Sequence, residues 1–68
     1  MPEKTFKLVE IVGTSSESFA QAADNAVKKA SSSLENLTWF EVTDLRGCIR
    51  DGKVTEFQVT LKAGFRLH

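Results

Sequence analysis

Trp39, Asp44 and Arg46 fall in one alternating segment that ends at an Asp51-Gly52 turn. Tryptophan offers a large flat π-face, and aspartate and arginine offer the acceptors and donors that a flat heterocycle needs at its edge. The chemistry this combination points to is recognition of a ligand with an aromatic ring system. Gln58 lies on the polar side of the next alternating segment. Each of these residues also has a plainer reading. Trp39 suits a contact between subunits, and Gln58 suits a solvated strand position. Asp44 and Arg46 suit an exposed ion pair at i, i+2, contributing about 0 to 1 kcal/mol.

Other reactive residue types are poorly placed. Cys48 has no internal histidine near it in sequence to activate a thiolate, so it reads as a small core or interface residue. His68 is the one histidine, which rules out a Cys/His metal cluster and makes a poor general base. Gly13-Thr14-Ser15-Ser16 is too short for a P-loop, though a helix start there can hold an anion. The chain carries no catalytic constellation.

The elements that must position these residues follow from periodicity. Residues 5–12 read as a strand rich in β-branched and aromatic types, apolar on both faces and broken by Gly13. Thr14 with Glu17 fits a capping box, with Ser15 or Ser16 as the other candidate caps. Phe19, Ala22, Ala23, Ala26, Val27, Ala30 and Leu34 then recur at helical spacing, and Asn36 is a candidate helix stop. Because most of that stripe is alanine, the helix can lie close against a sheet.

A second strand spans about residues 38–49 and a third about 53–67, joined through the Asp51-Gly52 hairpin turn. Phe57, Val59, Leu61, Ala63, Phe65 and Leu67 define the face under the helix. The fold class is α+β, in the order β-α-β-β, with a three-stranded antiparallel sheet partly wrapping one amphipathic helix. Pairing across the turn keeps i + j near about 103, which sets Trp39 opposite residue 64 and Arg46 near residue 57. Phe40 and Val42 suit the core. Trp39 and Gln58 share the other, uncovered face without needing to touch within one subunit. Asp44 and Arg46 have the wrong parity to join them unless the strand is bulged or twisted.

The 68 residues form a single domain over 1–68 that buries only about 60% of its unfolded surface, a marginal fraction. One cysteine cannot form an internal disulfide, so oligomerisation is the remaining route to stability. Fourteen extended residues span about 46 Å, whereas a compact chain of this length has a radius of gyration of about 11 Å. The hairpin should therefore project beyond its helix and leave sheet for neighbouring subunits to cover. Nine basic and nine acidic side chains cancel, against a nucleic-acid or membrane-surface role driven by bulk charge. No apolar run approaches a membrane span or a signal-peptide core after Met1, so a reduced, cytoplasmic setting is expected.

Three segments together carry a resemblance. Lys7-Leu-Val-Glu-Ile-Val-Gly-Thr-Ser15, Leu37-Thr-Trp-Phe-Glu-Val42 with Arg46-Gly47, and Phe57-Gln-Val-Thr-Leu-Lys-Ala-Gly-Phe-Arg-Leu67 resemble the dodecins, in order and over nearly the whole chain. The resemblance implies a hollow homododecamer of tetrahedral symmetry that binds flavins in stacked pairs near two-fold axes, each pair between tryptophans of two subunits. By position, Trp39 would stack on the isoalloxazine ring, Gln58 would hydrogen-bond its pyrimidine-like edge, and Asp44 would help hold its polar groups. Arg46 resembles the arginine that bacterial members place near flavin and tryptophan, and Arg66 is a further candidate for ligand or subunit contacts.

The resemblance implies storage and photoprotection of flavin rather than enzymatic turnover, since a closely stacked indole can quench excited flavin. FMN is favoured over riboflavin or FAD because arginines near the site suit a phosphate. Coenzyme A is a second ligand implied by the family, near three-fold axes, with no residue here to place it. The rival readings are a structural shell or coenzyme A-binding assembly in which Trp39 only seals subunit contacts, and a flavin-dependent enzyme. The latter needs substrate space and an acid or base beside the flavin.

Overall fold

A computed structural model describes residues 3–68. Strand β1 (Phe6–Ser15) leads through a short turn into helix α1 (Phe19–Ser31), followed by the hairpin of β2 (Leu37–Arg50) and β3 (Lys53–Arg66). The antiparallel sheet has the order β1-β3-β2, so the last strand lies at the centre. Asp51 and Gly52 both take positive φ, 53° and 75°, the backbone that a two-residue hairpin turn of the right hand requires.

Alternation decides which side of β3 the helix takes. Val59, Leu61 and Ala63 face it and are closed off together with Ala22, Ala26 and Ala30. The small alanine side chains allow a close approach, and Gly13 completes it. A Cβ at residue 13 would collide with the Ala22 carbonyl oxygen and lie 2.7 Å from the Ala26 Cβ. Gly13 is therefore the seat of the helix and not the end of the strand, and β1 runs on to Ser15.

That extension moves the helix start. Neither Thr14, Ser15 nor Ser16 is the cap. Ser15 accepts from the Glu17 backbone N–H at 2.9 Å and shapes the turn, while Ser18 caps α1 by accepting from the Gln21 N–H at 2.9 Å. The helix ends at Ser32 rather than at Asn36. Asn36 does adopt the left-handed conformation, with φ 64°, but in the turn that enters β2.

The helix packs on β1 and β3 and covers β2 only near its start, where Leu37 is half-buried against the core. Phe40 and Val42 are 49% and 46% exposed, so within one chain they are not core residues. The molecule measures 55 × 20 × 14 Å with a radius of gyration of 14.1 Å. This exceeds the roughly 11 Å of a compact chain of this length because the hairpin projects beyond α1.

Candidate functional site

The face of the sheet away from the helix holds every candidate residue, arranged in two groups. The first surrounds Gly64. Trp39 pairs with Gly64, and an ideal Cβ there would lie 2.5 to 2.6 Å from three consecutive atoms of the indole benzo ring. Near-equal distances to bonded neighbours place the ring's face, not its edge, over the glycine. Only glycine permits that approach. Phe6 closes the side of the indole edge-on, with centroids 4.9 Å apart and planes at 74°. Trp39 nonetheless remains 44% exposed. One π-face thus rests on backbone and the other is open, so a planar ring held by tryptophan on both sides needs two chains. Arg66 lies on the same face beyond Gly64, opposite Phe6, beside a recess formed with Lys4, Thr5 and His68.

The second group is polar and sits toward the hairpin turn. The register slips by one residue between Val42 and Asp44, leaving Thr43 as the extra residue of β2. An added residue inverts the alternation beyond it. Asp44 then pairs with Thr60 and Arg46 with Gln58, on the same face as Trp39. The parity conflict in the sequence is resolved by this slip. Arg46 Nε donates to Gln58 Oε1 at 2.9 Å, and its Nη1 donates to Asp44 Oδ2 and Thr60 Oγ1, both at 3.1 Å. The Asp44–Arg46 pair is about half exposed on both sides, which limits it to the fraction of a kcal/mol of a solvated ion pair.

The two groups do not meet within one chain. Gln58 and Gly64 are six residues apart on β3, or about 20 Å. Of the five candidate residues, the structure therefore joins Asp44, Arg46 and Gln58 directly and leaves Trp39 and Arg66 at the opposite end.

Two further residues border Gln58: Glu56, and Cys48, which the sequence marks as a small core or interface residue. Glu56 accepts from Gln58 Nε2 at 2.7 Å, and Cys48 Sγ lies 3.7 Å from the same nitrogen and 3.8 Å from Glu56 Oε1. Glu56 shares the parity of Gln58, which was the available signal. Cys48 is exposed on this face and is not a core residue of the chain. Its position follows from the slip at Thr43, which sequence parity does not register.

These features define a small β-α-β-β protein that carries its candidate residues in two separate groups on one face of the sheet. A sequence profile of the Dodecin family matches residues 5–68. The chain is 47% identical to dodecin from Thermus thermophilus over 64 residues, covering 94% of this chain and 93% of that one. It superposes on the structure of dodecin from Streptomyces coelicolor with a TM-score of 0.94 at 51% identity, over 100% of this chain and 97% of the other. A calcium dodecin from Mycobacterium tuberculosis, described with a calcium-binding site, matches at 28% identity and a TM-score of 0.82, over 94% and 91% of the two chains. The chain belongs to the dodecin family. Among its own described residues, no three His, Cys, Asp or Glu side chains are grouped to hold a metal ion, and no helix is long and apolar enough to cross a membrane.

Proposed function

We propose that this chain binds and stores flavin, without enzymatic turnover, as a homododecamer in which paired chains enclose the ligand. The observation that carries this reading is the indole laid face-down on Gly64 with its second face open. Trp39 stacks on the isoalloxazine ring, and the same residue of a two-fold-related chain closes the other side. Such stacking contributes about 0.5 to 1.5 kcal/mol beyond area burial.

The polar group fits the remainder of a flavin. Gln58 keeps a free lone pair on Oε1 and Arg46 keeps unpaired N–H groups on Nη2, suiting an imide-like edge. Since Trp39 and Gln58 of one chain are about 20 Å apart, the stacking and edge-binding groups of one site come from different subunits. FMN is the favoured ligand, because Arg66, on this same face, provides a cation for its phosphate. The bound flavin supplies a chromophore that accepts an electron when excited. Stacked indole quenches that state, which gives photoprotection.

The bare inner face of the hairpin supports the assembly. Phe40, Val42, Leu45 and Ile49 are 46% to 76% exposed in one chain, an apolar surface that association would bury at about 25 cal/mol per Å².

A fluorescence titration of fixed FMN with the assembled protein tests the function. Strong quenching that saturates near one flavin per chain is expected. Undiminished emission with both FMN and riboflavin at micromolar protein would overturn the proposal and leave the structural shell as the better account.

A further inference from the structure

We propose that Glu56 is a positioning residue that fixes the side-chain amide of Gln58, so that Gln58 meets a bound flavin as a hydrogen-bond acceptor. This inference rests on the flavin-binding reading and specifies how its edge site discriminates.

The orientation of a glutamine amide is decided by its partners. On one side Gln58 faces Glu56 Oε1 at 2.7 Å, and on the other Arg46 Nε at 2.9 Å. A carboxylate only accepts and a guanidinium only donates. The amide nitrogen must therefore point to Glu56 and the amide oxygen to Arg46. A flipped amide would set oxygen against oxygen and donor against donor. Strand geometry makes the arrangement stable, since Glu56 and Gln58 are alternate residues on one face of β3 and Arg46 lies directly opposite Gln58 on β2. Cys48, opposite Glu56, places its sulfur 3.7 Å from the same amide nitrogen and gives the second N–H a weak acceptor.

What remains unused defines the specificity. Both amide hydrogens of Gln58 face protein groups, while one lone pair of Oε1 is free. Arg46 commits Nε to Gln58 and Nη1 to Asp44 and Thr60, and its Nη2 hydrogens take no partner among the described residues. In the guanidinium fork one Nη2 hydrogen runs parallel to Nε–H. The site thus offers an acceptor beside a donor. An imide edge presents the complement, an N–H beside a carbonyl. The ring N3–H of an oxidised flavin donates to Gln58 Oε1, and the neighbouring carbonyl accepts from Arg46. Without Glu56 the amide is held from the Arg46 side alone, and the preference for an N3–H ligand weakens.

The test compares riboflavin with 3-methylriboflavin, which lacks that hydrogen, by quenching titrations against the assembled protein and its Glu56 variants. The unaltered protein is expected to bind the methylated probe about tenfold or more weakly, the usual scale for one unsatisfied hydrogen-bonding group. Glu56→Ala should shrink that ratio to about threefold or less, and Glu56→Gln, whose amide oxygen still accepts, should restore most of it. Glu56→Lys offers a cation that only donates and should abolish the preference, which keeps the idea testable where the alanine variant assembles poorly. An unchanged ratio in both Glu56→Ala and Glu56→Lys would overturn the positioning role while leaving flavin binding intact. Failure of the unaltered protein to quench riboflavin at all would overturn the flavin reading and this inference with it.

Discussion

The helix-facing sides of β3 and β2 carry similar apolar residues and meet different fates. Val59 and Leu61 on β3 are 1% and 0% exposed, whereas their direct partners Leu45 and Val42 on β2 are 54% and 46% exposed. The difference is one of cover. A helix is about 10 to 12 Å across with its side chains, and strands lie about 4.8 Å apart, so α1 roofs β1 and β3 and reaches β2 only near its start, at Leu37. Its 13 residues also extend about 20 Å, less than half of the roughly 46 Å spanned by each hairpin strand. Alternation tells which face of a strand seeks burial, but not whether the same chain can supply it.

The largest effect expected within a single chain is on the covered side. Leu61→Ala removes side-chain atoms from the closed core and should destabilise the subunit by about 2 to 5 kcal/mol in denaturant unfolding. Leu45→Ala, one strand away, should barely change the folding of an isolated subunit. It should instead lower the concentration-dependent stability of the assembly, read by light scattering on dilution. Equal effects of the two substitutions on dissociated subunits would erase the contrast.

Much of this contrast was legible in the sequence. The β-α-β-β order, the hairpin turn, the pairing of Trp39 with residue 64 and the projecting arm all follow from local pattern and chain length. The site was less so. Asp44 and Arg46 have the wrong parity in an ideal strand, and only the slip at Thr43 turns them onto the face of Trp39. Such a slip depends on the pairing of two distant segments, and no local residue type marks it. Gly13 is hidden for a similar reason, since its role is a close contact with Ala22 and Ala26 rather than a break in the strand. The Ser18 cap was present as Ser-x-x-Gln, but the earlier Thr14 and Glu17 fit the same pattern.

Smaller changes sharpen the comparison on the opposite face. Gly64→Ala leaves the helix side untouched but places a methyl group where the indole lies. It should weaken FMN binding about tenfold, a cost of about 1.4 kcal/mol, with little loss of subunit stability. Ser18→Ala removes the helix cap and should cost about 1 kcal/mol in unfolding, without altering FMN affinity. Asp44→Asn loses only a solvated ion pair, and the change in subunit stability should stay below about 1 kcal/mol.

The central claim is that Trp39 is a stacking surface for flavin and not merely a seal between subunits. Trp39→Ala, followed by FMN quenching and light scattering on the same sample, separates the two. FMN affinity should fall about thirtyfold or more, as expected for the loss of a central aromatic anchor, while the particle keeps its size. A particle that falls apart, or one that still quenches FMN with undiminished affinity, would contradict the account.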